Sequence, residues 1–487
     1  MFPHPVSFLG NADEAFSSTK SLAFDGVDDN ISCGELPVTT TLTAFSFSLW
    51  VKVGSTTTRM NLTSSPYAAS SWNDNFAVYY EAGTTSLKVE QGASVKYENT
   101  STTLPVGTWT HLCFVFDASE STAATKSKCY INGVSILNAS AALFVSLVDK
   151  DEDLYLGCRY LAANGSKSYF YDGNIDEVSF FNVALSSGDV SDIYNSGSPT
   201  DLTGESGLVS WYRMGENSTF SSPQILMPEQ SNKDKVSNYS MAFDGVNDYV
   251  FVGNDSSLQP TAAITLSAWV NQKTADWADR GIINAMKYIY GSPNGYTLDA
   301  SVRPDGYLYF NFEITTSAGV QNVKFLYLVG SYNLNEWYHY MATFDGNTLT
   351  AYVNGVVIGT TSYTGAILYD ATFYGVNING KPYRLMHADV DEVSIFNTAK
   401  AIGDIWDGSG KPTDLSGESG LVGYWKMGEE ATYDAVASEW TIPDQAGSND
   451  GTSANMTIED RTGDAPDSEN NALSYNMDAA DIKTEAP

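Results

Sequence analysis

Basic residues are scarce in this chain: 25 lysines and arginines stand against 58 acidic residues, a formal charge of −33 over 487 residues. Nucleic acid and anionic lipid are held by clustered Lys and Arg that displace counterions, so neither is an expected partner. Long apolar runs are also missing. None approaches the ~18 residues of a membrane span, and no membrane insertion is expected. No Lys or Arg precedes Lys20, and the opening Met1-Phe2-Pro3-His4-Pro5 carries neither the basic start nor the apolar run of a secretory signal. The expectation is a mature chain, or one that leaves its cell by lysis inside an assembled virus particle. Histidines number four, His4, His111, His339 and His387, too few to supply a Ser-His-Asp triad with ease. Helical periodicity is confined to short stretches near Ala184–Tyr194 and Ala399–Trp406.

What is present is present twice. Ala23-Phe24-Asp25-Gly26-Val27-Asp28-Asp29 returns as Ala242-Phe243-Asp244-Gly245-Val246-Asn247-Asp248. Leu49-Trp50-Val51 is answered by Ala268-Trp269-Val270, Trp109-Thr110-His111 by Trp337-Tyr338-His339, and Tyr130-Ile131-Asn132-Gly133 by Tyr352-Val353-Asn354-Gly355. Asp176-Glu177-Val178 pairs with Asp391-Glu392-Val393, and the run from Pro199 to Glu216 with that from Pro412 to Glu429. A period above 200 residues is too long for a solenoid, so each copy is a whole domain. His111 and His339, matched behind a Trp on core strands, read as structural. The four cysteines, Cys33, Cys113, Cys129 and Cys158, face Val252, Met341, Ala351 and Val376 in the second copy. Apolar replacements at all four argue for buried thiols. Cys113 and Cys129 could meet across a hairpin, but the second copy folds without that bond.

The local pattern is period two. Phe45-Ser46-Phe47-Ser48-Leu49-Trp50-Val51 and Ile264-Thr265-Leu266-Ser267-Ala268-Trp269-Val270 alternate apolar and polar residues, as half-buried strands do. Asp345-Gly346-Asn347 between two such runs is a hairpin signal, and Asn132-Gly133 and Asn354-Gly355 suit tight turns with positive φ. The fold class is all-β, two tandem antiparallel β-sandwiches. Domain boundaries follow from the repeat: an N-terminal arm at 1–19, sandwiches at 20–217 and 239–430, a linker at 218–238, and an acidic C-terminal tail or docking arm at 431–487. Beyond Gly451 the sequence is acidic and poor in β-formers.

These landmarks resemble the laminin-G-like, concanavalin-A-like family of jelly-roll sandwiches, over nearly the full length from Leu22 to Glu429. Six of them recur in order in both copies. The ends resemble C-termini of laminin-G-like proteins from marine tailed bacteriophages, on Gly420-Leu421-Val422-Gly423-Tyr424-Trp425-Lys426-Met427-Gly428-Glu429, Ile442-Pro443-Asp444-Gln445, Asn449-Asp450-Gly451 and Asn476-Met477-Asp478. That resemblance implies a virion-associated structural or host-attachment protein, in contact with other virion proteins or with itself as a homo-oligomer. The alternative is a secreted or cell-surface lectin-like adhesin, and a lesser one an accessory of a glycan-degrading enzyme.

Sandwiches of this family that cut glycans place paired acids on one strand as Glu-x-Asp-x-x-Glu, which alternation turns into one groove. That string is absent. Asp176-Glu177 and Asp391-Glu392 are adjacent and on a regular strand would point to opposite faces, so no enzyme is expected. Related sandwiches hold a structural Ca²⁺ beside turn acids, which makes Asp25, Asp176, Asp244 and Asp391 the calcium candidates, against a simpler role as turn formers. Cell-surface glycans would need loop aromatics for stacking. The loop after Trp50 offers Tyr67, Trp72, Tyr79 and Tyr80, and that after Trp269 offers Trp277, Tyr288, Tyr290 and Tyr296. These loops differ between the copies while the strands agree, as binding loops do.

Overall fold

The computed structural model describes residues 16–487 except 36–40, 67–73, 83–85, 93, 101–103, 148–152, 162–163, 278–279, 287–293, 328–331, 370–372 and 381–384. Strand accounts for 49% of the chain and helix for 6%, which fixes the class as all-β. The chain divides into two compact units, residues 1–218 with 474–487, and residues 219–473.

In the first unit one sheet runs Val134–Ile136, Ser127–Ile131, Trp109–Asp117, Ala44–Val53, Asp172–Phe181, Ser21–Asp25, Ile482–Lys483, with Leu208–Tyr212 also on Asp172–Phe181. A second sheet of this unit includes Asn30–Glu35, Asp153–Leu156, Met60–Pro66, Asp74–Glu81, Ser86–Gly92 and Ser94–Asn99 in that spatial order. The apolar half of the Phe45–Val51 alternation enters the space between them. Phe45 stacks on Phe116 (4.6 Å) and Phe180 (5.6 Å) and meets Phe76 and Phe144 edge-on. The polar half is buried too. Ser46 Oγ donates to Val183 O and accepts from Leu185 N, both at 2.9 Å, so the segment that carries the helix Ser187–Tyr194 lies over the outer face. There Cys113, Val115, Val190, Ile193 and Trp211 form a second apolar layer.

The second unit repeats this plan. One sheet runs Val356–Ser362, Thr348–Val353, Trp337–Phe344, Ile264–Gln272, His387–Phe396, Ser240–Asp244, Arg461–Thr462, and the facing sheet has nine strands. Leu266 and Val270 from the first and Leu298, Phe310 and Phe312 from the other share one core. The expected hairpin holds: Phe344 pairs with Leu349, and Asp345 Oδ1 accepts from the amides of Asn347 and Thr348 (2.8 and 2.7 Å). Asn132 and Gly133, like Asn354 and Gly355, have positive φ (50° and 75°, 46° and 76°). All four cysteines are free and buried. Cys113 pairs with Tyr130 while Cys129 pairs with Phe114, so the two thiols point to opposite faces.

Two stretches depart from the expected boundaries. The linker at 218–238 contains the strands Thr219–Ser221 and Gln224–Met227, where Leu226 and Met227 pair with Leu473 and Ala472. Its polar remainder is held by the buried Asn471, which accepts from Glu229 N and Asn232 Nδ2 (2.9 Å each) and donates to Asn238 O (2.7 Å). The tail at 431–487 is likewise folded. It gives Thr432–Asp434, Glu439–Ile442, Gly451–Ala454 and Arg461–Thr462 to the second unit, and Ile482–Lys483 pairs with Ser21–Asp25 of the first. Of the arm at 1–19, Phe16 stacks on Trp211 (6.0 Å) and Ser18 bonds to Asp176. These pieces read as loose because their strands are only two to four residues long, although Ile225, Met227, Trp440 and Ile442 within them are buried apolar residues.

Candidate functional site

The Asp-Gly turn that closes the first strand is built identically in both units. Asp25 Oδ1 accepts from the amides of Val27 and Asp28 (2.7 and 3.3 Å), and Asp25 N donates to Asp29 Oδ2 (2.8 Å). Asp244 accepts from Val246 and Asn247 (2.7 and 3.2 Å) and donates to Asp248 (2.9 Å). Short acids that bond their own following amides are turn formers. Carboxylate oxygens of Asp25, Asp28 and Asp29 lie within 4.8 Å of one another, but the second unit has Asn247 in place of the middle acid. Burial pushes the Asp29 carboxyl up to about 7, with Asp25, Asp481 and Asp28 adding to the rise.

Asp176 and Asp391 are elsewhere. Asp25 pairs with Asp172 and Asp244 with His387, four residues along the strand from Asp176 and Asp391, roughly 13 Å at the rise of a strand. The four calcium candidates therefore do not converge. Asp176 and Asp391 are fully buried and bonded to Ser18 Oγ (2.9 Å) and Ser237 Oγ. The residue after each, Glu177 or Glu392, has positive φ (48° and 51°) inside a β-bulge, not on a regular strand. The bulge turns that acid toward the neighbouring strand. Glu177 accepts from Trp211 Nε1 (2.7 Å) and Arg213 Nε (3.3 Å), and Glu392 from the Tyr424 hydroxyl. Burial holds all four carboxyls above their usual range, and Glu429 and Glu392 add to the rise at Asp391. Groups this deeply enclosed and internally bonded serve the fold.

A serine–histidine contact recurs as well. Ser48 Oγ lies 2.8 Å from His111 Nε2, and Ser267 Oγ 2.7 Å from His339 Nε2. Both rings are shut from solvent, packed against Trp50 and Tyr194 or Trp269 and Trp406, and burial holds them down to about 3. A nucleophile needs access and a base that can accept its proton at working pH. The contact satisfies two buried groups instead.

Of the aromatic candidates, Tyr67, Trp72, Tyr288 and Tyr290 lie outside the described residues. Tyr79, Tyr80 and Tyr296 are core residues, 4%, 0% and 0% exposed, because they sit on strands and not in loops. Arg59 covers the Tyr79 ring at 4.0 Å, and the Tyr296 hydroxyl donates to Leu258 O (2.9 Å). None of the three can stack on a sugar. Trp277 is 63% exposed, with the Arg303 guanidinium 4.6 Å over its ring.

Beside Trp277 in the chain is Asp276, which lines a cleft of about 130 Å³ in the second unit with Asp244, Gln272, Thr274, Arg280 and His387. Arg280 pairs with Asp276, whose amide donates to Val302 O (3.0 Å). Gln272 Oε1 accepts from Val302 N (2.7 Å) and its Nε2 donates to Val302 O (3.2 Å), which fixes the loop that carries Asp276 and Trp277. The cleft is smaller and more polar than pockets for drug-sized apolar ligands. Its donors and acceptors suit hydroxyl groups. The sequence offered Asp244 as a calcium candidate and Trp277 as a glycan candidate, and it marked neither His387 nor Arg280, which belong to no motif.

A family model for laminin-G-like domains, described as the concanavalin A-like lectin/glucanases superfamily, matches residues 25–191 and 244–405. The chain belongs to this superfamily. Several solved structures are similar at low identity. A candidate carbohydrate-binding protein from Bacteroides ovatus is 16% identical over 85% of this chain and 92% of its own (TM-score 0.35). Domains LG4-5 of the mouse laminin α1 chain are 11% identical over 86% and 98% (TM-score 0.27). Domain 4 of the extracellular arabinanase AbnA from Geobacillus stearothermophilus, solved with arabinotriose, is 24% identical over 36% and 76% (TM-score 0.27). No match is found among curated proteins. Within the superfamily fold, the cleft stands at the rim where the Asp244–Gly245 turn meets His387. Among the described residues no helix is long and apolar enough to cross a membrane.

Proposed function

We propose that this is a non-enzymatic adhesion protein that binds cell-surface glycan through the rim cleft of the second unit. The observation that carries the reading is the cleft itself, where Asp244, Asp276, Arg280 and His387 gather polar groups, with the exposed Trp277 next to Asp276 in the chain. Sugars are held by such a combination, hydroxyls by fixed polar groups and an apolar ring face by an aromatic. The enclosed, internally bonded state of Asp176, Glu177, Asp391, Glu392 and the two Ser–His contacts supports a binding role over hydrolysis. Carriage on a phage particle is the second part of the proposal. It is supported by the acidic composition and by the resemblance of residues 420–429, 442–445, 449–451 and 476–478 to phage-encoded laminin-G-like proteins.

The test is a glycan array followed by calorimetry on the best ligand. Trp277→Ala and His387→Ala should each weaken binding about tenfold or more, the scale of losing one well-placed contact. Binding that survives both substitutions unchanged refutes the site, and release of reducing ends from the bound glycan refutes the non-enzymatic reading. Mass spectrometry of purified particles decides the location.

A further inference from the structure

The C-terminal region contains a short module twice. Asn455-Met456, Asp460 and Ala465-Pro466 return as Asn476-Met477, Asp481 and Ala486-Pro487, each 21 residues on. The two modules dock in the same way on equivalent edges. Arg461 and Thr462 pair with Met241 and Ser240, and Ile482 and Lys483 pair with Leu22 and Ser21. Asn455 Nδ2 donates to Asn247 O (2.9 Å) and Asn476 Nδ2 to Asp28 O (3.1 Å), both from positive φ. Met456 and Met477 are buried, 1% and 3% exposed. Even the flanking polar contact is shared, Asn271 Nδ2 to Asp464 Oδ2 (3.4 Å) in one unit and Lys52 Nζ to Glu485 Oε2 (2.8 Å) in the other.

Recognition is therefore written in the module and in the edge that receives it. Adding a strand to an exposed sheet edge is a recurring mode of peptide binding, with backbone bonds for affinity and side-chain pockets for selectivity. In the first unit the module reaches its edge only after the chain has formed residues 219–473 as a separate unit. The attachment includes two residue pairs, one amide–carbonyl bond, one buried methionine, one part-exposed ion pair and Lys167 Nζ 4.4 Å over the Tyr475 ring. An element that carries its own recognition and is tethered through a second unit is suited to exchange between copies.

We propose that the Ser21–Asp25 edge is a strand-accepting slot that takes segment 474–487 from a second copy of this chain as well as from its own. Exchange of that segment links chains without any new interface chemistry.

Ser21 and Lys483 face each other in the pairing, which supplies the test. Full-length Ser21→Cys is mixed with full-length Lys483→Cys, equilibrated under reduction and then oxidised, with Thr57→Cys replacing Ser21→Cys as the control. A disulfide-linked heterodimer is expected for the first mixture and not for the control. Its yield should rise with protein concentration and fall about fivefold or more under excess synthetic peptide of residues 474–487, which competes for the slot. Ser21→Cys/Lys483→Cys in one chain should close within that chain. Overturning results are an intrachain bond in the double variant with no heterodimer in the mixture, a heterodimer that the peptide leaves untouched, or no intrachain bond at all, since the last would deny the pairing itself.

Discussion

Replacing Asp29 by Asn should make the protein more stable at pH 8, with the gain shrinking as pH falls and vanishing below about pH 4. In the fold this carboxyl is 3% exposed, accepts one amide bond from Asp25, and has Asp25, Asp28 and Asp481 as acidic neighbours. Its value rises from 3.8 to about 7. The folded state thus binds the proton more tightly than the unfolded chain does. The stability this gives is complete below about pH 4 and is lost as pH climbs through 7. Three pH units at about 1.4 kcal/mol each set a ceiling near 4 kcal/mol. The turn stands at an edge with exposed Asp25 and Asp28, where solvent screens charge, so about 1–2 kcal/mol is the working figure. Asparagine keeps an acceptor for the Asp25 amide and carries no charge at any pH. Scanning calorimetry at 0.15 M salt should show Asp29→Asn melting roughly 2–8 °C above the parent at pH 8, given 2–4 °C per kcal/mol for a unit of this size. An equal difference at pH 5 and pH 8, or a loss at pH 8, refutes the assignment of the repulsion to Asp29.

Calcium is the companion measurement: an ion held at the Asp25–Asp28–Asp29 turn should raise the melting temperature at pH 8 and do nothing for Asp29→Asn, whereas no response to calcium or chelator in either protein leaves the turn to its own amides. Gly355→Ala should cost about 1–3 kcal/mol, because φ is +76° and the added methyl runs into the Trp406 ring; Gly133→Ala, whose methyl meets the Tyr194 ring at 3.0 Å, should cost less, and equal losses in denaturant titration contradict this. Met477→Ala should lower stability by about 2–5 kcal/mol; hydrogen exchange should quicken at residues 21–25 and stay unchanged at 240–244, and the reverse pattern contradicts the docking described.

Much of the fold was legible in the sequence. Serine alternating with Phe45, Phe47 and Leu49 announced a strand, and Asn132-Gly133 and Asn354-Gly355 announced turns that only residues tolerant of positive φ make cheaply. Glu177 and Glu392 were not legible. Glutamate has no propensity for that backbone, and only the bulge and its Trp211, Arg213 or Tyr424 partner make it tolerable. Tyr79, Tyr80 and Tyr296 were assigned to loops because the strand boundaries beyond Trp50 and Trp269 lack clear turn signals. Trp277 was read correctly as a loop aromatic, whereas His387 comes beside Asp244 only through strand pairing. The tail's role was hidden by composition, although the paired Asn-Met and Ala-Pro landmarks were there to be counted.

The first unit is interrupted in time as well as in sequence. A ribosome that has completed residue 218 must add about 250 more before it reaches 474, a wait of roughly 10–50 s at ordinary synthesis rates. Throughout that interval the Ser21–Asp25 edge exists without its last strand. Neighbouring ribosomes on one message therefore present open edges and newly made segments close together, and the share of linked chains can be set by the spacing and speed of translation instead of by the final concentration of protein.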